Sequence, residues 1–164
     1  MRHLQLLSVA VLATALLPSC DGDSPVAPAL PDGPVAPTSL YESSTSGLST
    51  SERLVIRTVS ELDSIWTEIF SDVATPDPVP TPDFNRDMVL VVASGEQPEA
   101  CYRIKVTSAF GDGIDLTATV TEFEPTADCV CEPTPSQPVA VVSVPRSDEV
   151  NFTDVTTTEC EAPV

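Results

Sequence analysis

The chain has 164 residues and carries 25 acidic residues against 7 lysines and arginines, which gives a formal net charge of −18. Electrostatic binding to nucleic acid or to an anionic lipid surface needs clustered basic residues, so this composition excludes both. The one histidine, His3, lies in a segment that we expect to be removed. The mature protein would then lack a histidine for nucleophilic catalysis or for a zinc site. A single folded domain is the expectation for this length.

Residues 1–19 have the features of an export signal. A short basic start precedes an apolar run that suits a secretory signal peptide and is too short to span a bilayer. The run ends in Leu17-Pro18-Ser19-Cys20, which resembles the bacterial lipobox, although Pro18 stands where a small residue is usual. The resemblance implies a lipid on Cys20 that anchors the protein in the bacterial cell envelope, on the periplasmic side or at the cell surface. The alternative is an ordinary signal peptide in which this cysteine is incidental.

Residues 20–51 differ from what precedes and follows them. They are rich in Pro, Ser and Thr, repeat the tetrapeptide PVAP at residues 25–28 and 34–37, and lack hydrophobic periodicity. Such a composition buries too little apolar surface to offset the entropy of ordering the chain. We therefore predict a lipid-anchored, disordered tether that holds a folded domain, residues 52–164, away from the membrane.

The folded domain begins with a predicted strand and a predicted helix. Residues 52–59 are β-branched and about half apolar, which is typical of a strand. A helix is predicted from Ser60 to near Asp72, with Ser60 and Asp63 as its capping pair. One face of this helix is apolar and is expected to pack in the core; it carries Leu62, Ile65, Trp66, Ile69 and Phe70.

Further strands are predicted at residues 87–94, 102–106, 114–120, 139–144 and 149–155. The second and third of these form a hairpin around the turn at residues 111–113, and the apolar side of the third includes Ile114. The runs at 87–94 and 139–144 are continuously apolar, which indicates burial on both faces. The fold class is mainly β (α+β): an antiparallel sheet or small sandwich of about six strands with one packed amphipathic helix.

Four cysteines remain once Cys20 carries lipid: Cys101, Cys129, Cys131 and Cys160. An even number of cysteines in an exported protein favours disulfides. A bridge between Cys129 and Cys131 would close a very tight ring, so we expect Cys101 to pair with one of these two and Cys160 with the other. A cysteine-only zinc site and a redox-active pair are the weaker alternatives, and no metal or cofactor is predicted.

Catalytic chemistry has little support in the domain. It has no histidine and a single lysine, Lys105. Close acidic pairs are expected from composition alone, and Asp112 and Asp115 lack the spacing of a calcium loop. No catalytic residue is assigned, and we expect a binding module that is not an enzyme.

Several segments resemble the PrcB C-terminal domain family. Residues 83–92, DFNRDMVLVV, are similar to the family's DFxRxMVLVV segment. Residues 100–104 follow where the family has Gly-Gly-Tyr and an alternating strand, but here Ala100-Cys101 replaces the glycine pair. The closing VSVPR at residues 142–146 also matches, and the order of these segments holds over residues 60–152.

The resemblance implies a lipid-anchored accessory or stabilising subunit of an exported protease, without catalytic residues of its own. Two alternatives stay open: an envelope protease inhibitor with a chagasin-like sandwich, and a purely structural envelope lipoprotein. The predicted partner-binding surface is the loop that follows the buried strand, because loops held by rigid strands are frequent recognition sites. Its residues are Gly95, Glu96, Gln97, Pro98, Glu99 and Tyr102.

Overall fold

A computed structural model describes residues 30–160 of the protein. The predicted signal peptide and the predicted lipid site, Cys20, lie outside the described residues. The single helix of this region, α1, spans Val59–Ile69. Its eight strands are β1 (Asp32–Val35), β2 (Thr38–Ser43), β3 (Ser51–Ile56), β4 (Asp87–Ser94), β5 (Arg103–Asp112), β6 (Leu116–Glu124), β7 (Val139–Pro145) and β8 (Val150–Thr158).

The strands form a sandwich of two four-stranded sheets, so the predicted sandwich with one helix is confirmed, but with eight strands instead of six. Sheet A has the order β1-β5-β6-β8 and sheet B has the order β2-β7-β4-β3. Neighbouring strands are antiparallel except for β6 and β8, which are parallel. The parallel pair arises because the chain crosses from β7 in sheet B to the edge of sheet A, where β8 runs in the direction of β6.

The predicted tether is wrong for residues 30–51. β1 pairs with β5 in sheet A and β2 pairs with β7 in sheet B, with only residues 36–37 between them. The chain therefore changes sheets after four residues, which leaves no run long enough to show a two-residue hydrophobic period. Pro34 lies in an edge strand, where a missing backbone N–H is tolerated. Leu30 is already buried, so the folded domain begins at or before this residue and not at residue 52.

Helix α1 begins at Val59, one residue earlier than predicted, and its N-cap lies two residues earlier, at Thr58 instead of Ser60. Thr58 is the N-cap: its hydroxyl accepts a hydrogen bond from the Glu61 backbone N–H, and the Glu61 carboxylate accepts one from the Thr58 N–H at 3.0 Å. This capping box replaces the predicted pair of Ser60 and Asp63, because Thr58 has the extended backbone (φ −138°, ψ 155°) that a cap requires. The helix ends at Ile69, and the predicted apolar face is buried.

Two apolar cores lie on either side of sheet B. The strand β4 supplies both, since Met88, Leu90 and Val92 point between the sheets while its alternate residues point toward α1. Trp66 anchors the helix side, where its ring contacts Tyr41 and Phe70 at centroid distances of 5.5 Å and 5.1 Å. Burial on both faces explains why residues 87–94 are continuously apolar.

The predicted hairpin is confirmed and is longer than expected. β5 and β6 pair over their whole lengths, with a register shift between Val106 and Ser108. The turn after β5 has Gly113 at φ +92°. Ile114 was predicted on the apolar side of the second strand, but it lies in the turn and is 64% exposed. Among the residues described, no helix has the length and hydrophobicity needed to cross a bilayer.

Candidate partner-binding site

The predicted loop, residues 95–102, lies at one end of the sandwich between β4 and β5. A second connection, residues 125–138, lies at the same end between β6 and β7. We call these two loops together with Cys160 the disulfide end. The opposite end, which we call the turn end, consists of residues 57–61, 83–87, 112–115 and 145–149. Hydrogen bonds from Arg57 to the Ser147 and Asp148 carbonyls join parts of the turn end.

Gly95 sets the path of the first loop. Its φ is +73°, a conformation that L side chains rarely adopt. A Cβ atom at this position would lie 2.8 Å from the Ser51 nitrogen and 2.8 Å from the Thr50 carbonyl carbon. The glycine therefore serves both the turn and a close backbone approach to the start of β3.

The loop 95–102 is held against the second loop by hydrogen bonds. Gln97 and Ser136 exchange two backbone bonds, at 2.8 Å and 3.0 Å. The buried Ser136 hydroxyl donates to the Glu99 carbonyl at 2.6 Å, and the Ala100 N–H donates to the Glu132 carbonyl at 3.2 Å. These bonds fix the loop along most of its length.

Two disulfides complete this end. Cys101 pairs with Cys131 and Cys129 pairs with Cys160, with Cα–Cα distances of 5.6 Å and 5.5 Å. Both predicted disulfides are therefore present, and the structure selects one of the two pairings that the sequence left open. The first disulfide joins the two loops, and the second joins the 125–138 loop to the chain after β8.

An ion pair between a buried arginine and a partly exposed glutamate lies beneath the disulfide end. The Arg103 guanidinium bonds to the Glu159 carboxylate and lies over the Phe123 ring, 4.8 Å from its centroid. The Glu159 N–H also donates to the Glu124 carbonyl at 3.0 Å. In the predicted strand 102–106, the alternation of polar and apolar residues places Arg103 on the polar side and does not predict this ion pair.

The disulfide end presents polar backbone and acidic side chains to solvent. In the first loop, Glu96 and Pro98 are exposed, while Gln97, Glu99 and Tyr102 are half-buried. The second loop presents Val130, which is 98% exposed although both of its neighbours, Cys129 and Cys131, are in disulfides. Val130 is not among the contact residues predicted from the sequence. An apolar residue between two bridged cysteines is the signal that could have found it.

The arrangement suits recognition by contact. In the described part of the chain, no group of three or more cysteine, histidine or acidic side chains could hold a metal ion. Hydrogen bonds from backbone N–H groups hold the pKa of Glu61 and of Asp112 below their ordinary values, and both carboxyls lie at the turn end. The disulfide end instead offers a fixed backbone with an apolar tip, Val130, among acidic residues.

The chain was compared with protein families, curated proteins and solved structures. The family model described as PrcB C-terminal matches residues 88–145, which span β4 to β7 and include both loops of the disulfide end. Neither the curated proteins nor the solved structures gave a match. The family match covers the central strands of both sheets and confirms the resemblance seen in the sequence. Residues 88–145 are therefore similar to the PrcB C-terminal family.

Proposed function

We propose that the protein is a membrane-anchored, non-catalytic binding module that serves as an accessory or stabilising subunit of an exported protease. The observation that carries this proposal is the family match, because residues 88–145 contain both loops of the disulfide end. An accessory subunit of this kind needs a stable contact surface and no reacting groups.

The disulfide end supports the proposal through its preorganisation. The Cys101–Cys131 disulfide and the Gln97–Ser136 backbone pair hold the loops before any partner arrives. A surface that is already ordered loses less conformational entropy when it binds. Val130 of the second loop supplies an exposed apolar contact, and Glu96 and Glu99 of the first loop supply polar contacts. We therefore assign the partner contact to this end of the sandwich.

The point where the chain enters the domain supports an outward orientation. Leu30 and Pro31 pack directly against Gly111, close to the turn end. Ten residues separate this point from Cys20, and they reach at most about 35 Å. A lipid on Cys20 would hold the turn end close to the membrane and direct the disulfide end away from it, toward an exported partner.

Photo-crosslinking from the native lipoprotein tests this assignment. Val130 is replaced by a photoreactive phenylalanine analogue, and the same analogue at Asp115 in the turn end is the matched control. We expect residue 130 to crosslink to an exported protease, identified by mass spectrometry, and residue 115 to give little or none. Equal crosslinking from both positions, or no protease from residue 130, would contradict the proposal.

The absence of catalysis is tested separately. The purified domain, assayed with peptide, glycan and ester substrates, should show no turnover above the rate in buffer. It should also leave the activity of the crosslinked protease undiminished when added in excess. Turnover would show that the protein is an enzyme, and loss of protease activity would favour the inhibitor alternative.

A further inference from the structure

Four strands lie at sheet edges, and they differ in how they are protected from pairing with another strand. β1 has four residues and contains Pro34, and the pairing of β2 is interrupted by a register shift between Ser39 and Tyr41. Short length, proline and bulges are among the devices that block edge pairing. β3 and β8 have none of these three: both are regular strands with an uninterrupted register against their neighbours. Of the two, β3 (Ser51–Ile56) is the one that borders a groove beside α1.

A groove lies between the free edge of β3 and helix α1. Its floor is apolar and consists of Leu54, Ile56 and Ile65. Its rim is acidic, with Glu52 on the strand side and Glu61 and Glu68 on the helix side. Since Glu52, Leu54 and Ile56 alternate along β3, all three point to the face that α1 covers.

Of the nearest basic residues, Arg57 interacts electrostatically with Glu61, whereas Glu52 and Glu68 form no ion pair among the described residues. Arg53 points to the other face of β3, where it bonds to Glu122 and Asp154 at 2.8 Å each. The Arg57 guanidinium is held by the Ser147 and Asp148 carbonyls at the turn end. The groove therefore combines a regular strand edge and an apolar floor with negative charge at Glu52 and Glu68 that no ion pair of the described residues compensates.

We propose that this groove binds an extended, basic segment of the partner protein, which adds as a fifth strand beside β3. The main chain of the segment would pair with the edge of β3, as in other cases of strand addition. Every second side chain would point toward α1, where lysine or arginine would meet Glu52 and Glu68 and an apolar residue would cover Leu54. A second copy of this chain is a poor occupant, because two β3 edges would bring like charges together. The inference rests on the proposed function, whose partner it describes.

The probe is a synthetic peptide with the sequence acetyl-TKTLTKT-amide, labelled for fluorescence anisotropy. Its alternate residues present Lys, Leu and Lys to one face. We expect it to bind the wild-type domain at low ionic strength, and the double variant Glu52→Lys/Glu68→Lys to raise its Kd by about tenfold or more. The control Asp63→Lys, on an exposed position of α1 that does not line the groove, should change Kd by less than about twofold.

A charge-swapped peptide, acetyl-TETLTET-amide, distinguishes loss of charge complementarity from a change in the fold of the double variant. It should bind Glu52→Lys/Glu68→Lys more tightly than it binds wild type. Failure of this reversal in a variant that retains the wild-type circular dichroism spectrum would overturn the charge assignment.

Strand addition has its own test. Only alternate backbone N–H groups of an added strand face β3, so N-methylation of one alternate set should abolish binding while N-methylation of the other is tolerated. Bound peptide should also slow amide exchange in Ser51–Ile56. Equal tolerance of both sets, or protection of β8 in place of β3, would overturn the proposal.

The outcomes separate this inference from the proposed function. Suppose that residue 130 crosslinks to a protease but the peptide does not bind. The proposed binding role of the groove would then be refuted, and the accessory role would stand. If the peptide binds but residue 130 does not crosslink to a protease, the groove would be supported as a binding site and the protease would be refuted as the partner.

Discussion

At the disulfide end the chain leaves the sheets through residues 95–102 and 125–138, whereas at the turn end β5 and β6 are joined by residues 113–115 alone. The long loops bury little apolar surface, and only Ser136 and Pro138 of the second loop are buried. Two disulfides and paired backbone bonds hold them. At the turn end, side chains such as Arg57 and Arg146 instead bind backbone carbonyls. Long connections without a core of their own are here fixed covalently, and short ones by hydrogen bonds.

Removal of a disulfide should cause the largest loss of stability among these predictions, and the loss should be confined to the disulfide end. Each disulfide links cysteines 30 or 31 residues apart, so loss of its loop-closure restraint should lower the free energy of unfolding by about 3.5 kcal/mol. Urea unfolding of Cys101→Ser/Cys131→Ser and of Cys129→Ser/Cys160→Ser measures this. Hydrogen exchange should show that the turn end keeps its protection in both variants. A free energy equal to that of wild type would mean that the hydrogen bonds alone hold these loops.

Two glycines with positive φ allow the two ends to be compared: Gly95 at the disulfide end and Gly113 at the turn end. Gly95→Ala adds a Cβ atom 2.8 Å from backbone atoms of Thr50 and Ser51 and should cost about 3 kcal/mol. Gly113→Ala has no atom within 4 Å of the new Cβ, so only its backbone strain remains, about 1 kcal/mol. Thermal or urea unfolding compares the two. Equal losses would indicate that the close approach at Gly95 relaxes without cost.

Arginine hydrogen bonds should be the main support of the turn end. Arg146 donates to the Phe84 carbonyl at 2.7 Å, and Arg146→Ala should lower the free energy of unfolding by about 1–2 kcal/mol. Arg86→Ala is the matched control, since Arg86 is exposed and its carbonyl bond to the Arg146 N–H survives the change. It should alter the free energy by less than about 0.5 kcal/mol. Similar losses in both variants would argue against a specific role for the Arg146 bond.

As pH falls, the turn end should lose protection from amide exchange before the disulfide end does. This is the smallest of the four predicted effects. The pKa of Glu61 is lowered by hydrogen bonds from the Arg57 backbone and from Thr58, and that of Asp112 by hydrogen bonds from the Asp115 and Ile114 backbones. A lowered folded-state pKa gives stability that is complete above the unfolded pKa, about 4, and is lost as pH falls through the folded value. Amide exchange compared at pH 7 and below pH 4, corrected for intrinsic rates, should rise first near Glu61 and Asp112. An earlier rise in residues 95–102 would contradict this.

The sequence predicted the elements whose local pattern matches their burial. β4 was predictable because burial on both faces leaves a continuous apolar run. The β5–β6 hairpin was predictable because burial on one face leaves an alternating apolar pattern. β1 and β2 were not, because a strand that changes sheets at residues 36–37 shows no sustained period. The helix cap was misplaced by two residues, since Thr58 and Ser60 can both cap and only the extended backbone of Thr58 decides.

The candidate site was predictable in part for related reasons. The cysteine count indicates two disulfides, but the choice between Cys129 and Cys131 depends on how the 125–138 loop folds. The loop 95–102 is predicted as the partner surface because it follows a buried strand, and that role stays a prediction. The neighbouring cysteines draw attention to Val130 and Arg103, but the exposure of Val130 and the ion pair of Arg103 with Glu159 depend on contacts distant in sequence.

The accessory role is tested most directly by the abundance of the exported protease in cells that lack this protein. We expect mature protease to fall on deletion and to return when wild-type protein is supplied. A variant with residues 96–99 replaced by glycine and serine should fold and anchor normally but restore little of it. Unchanged protease abundance on deletion, or full restoration by the loop variant, would contradict an accessory subunit that acts through the disulfide end.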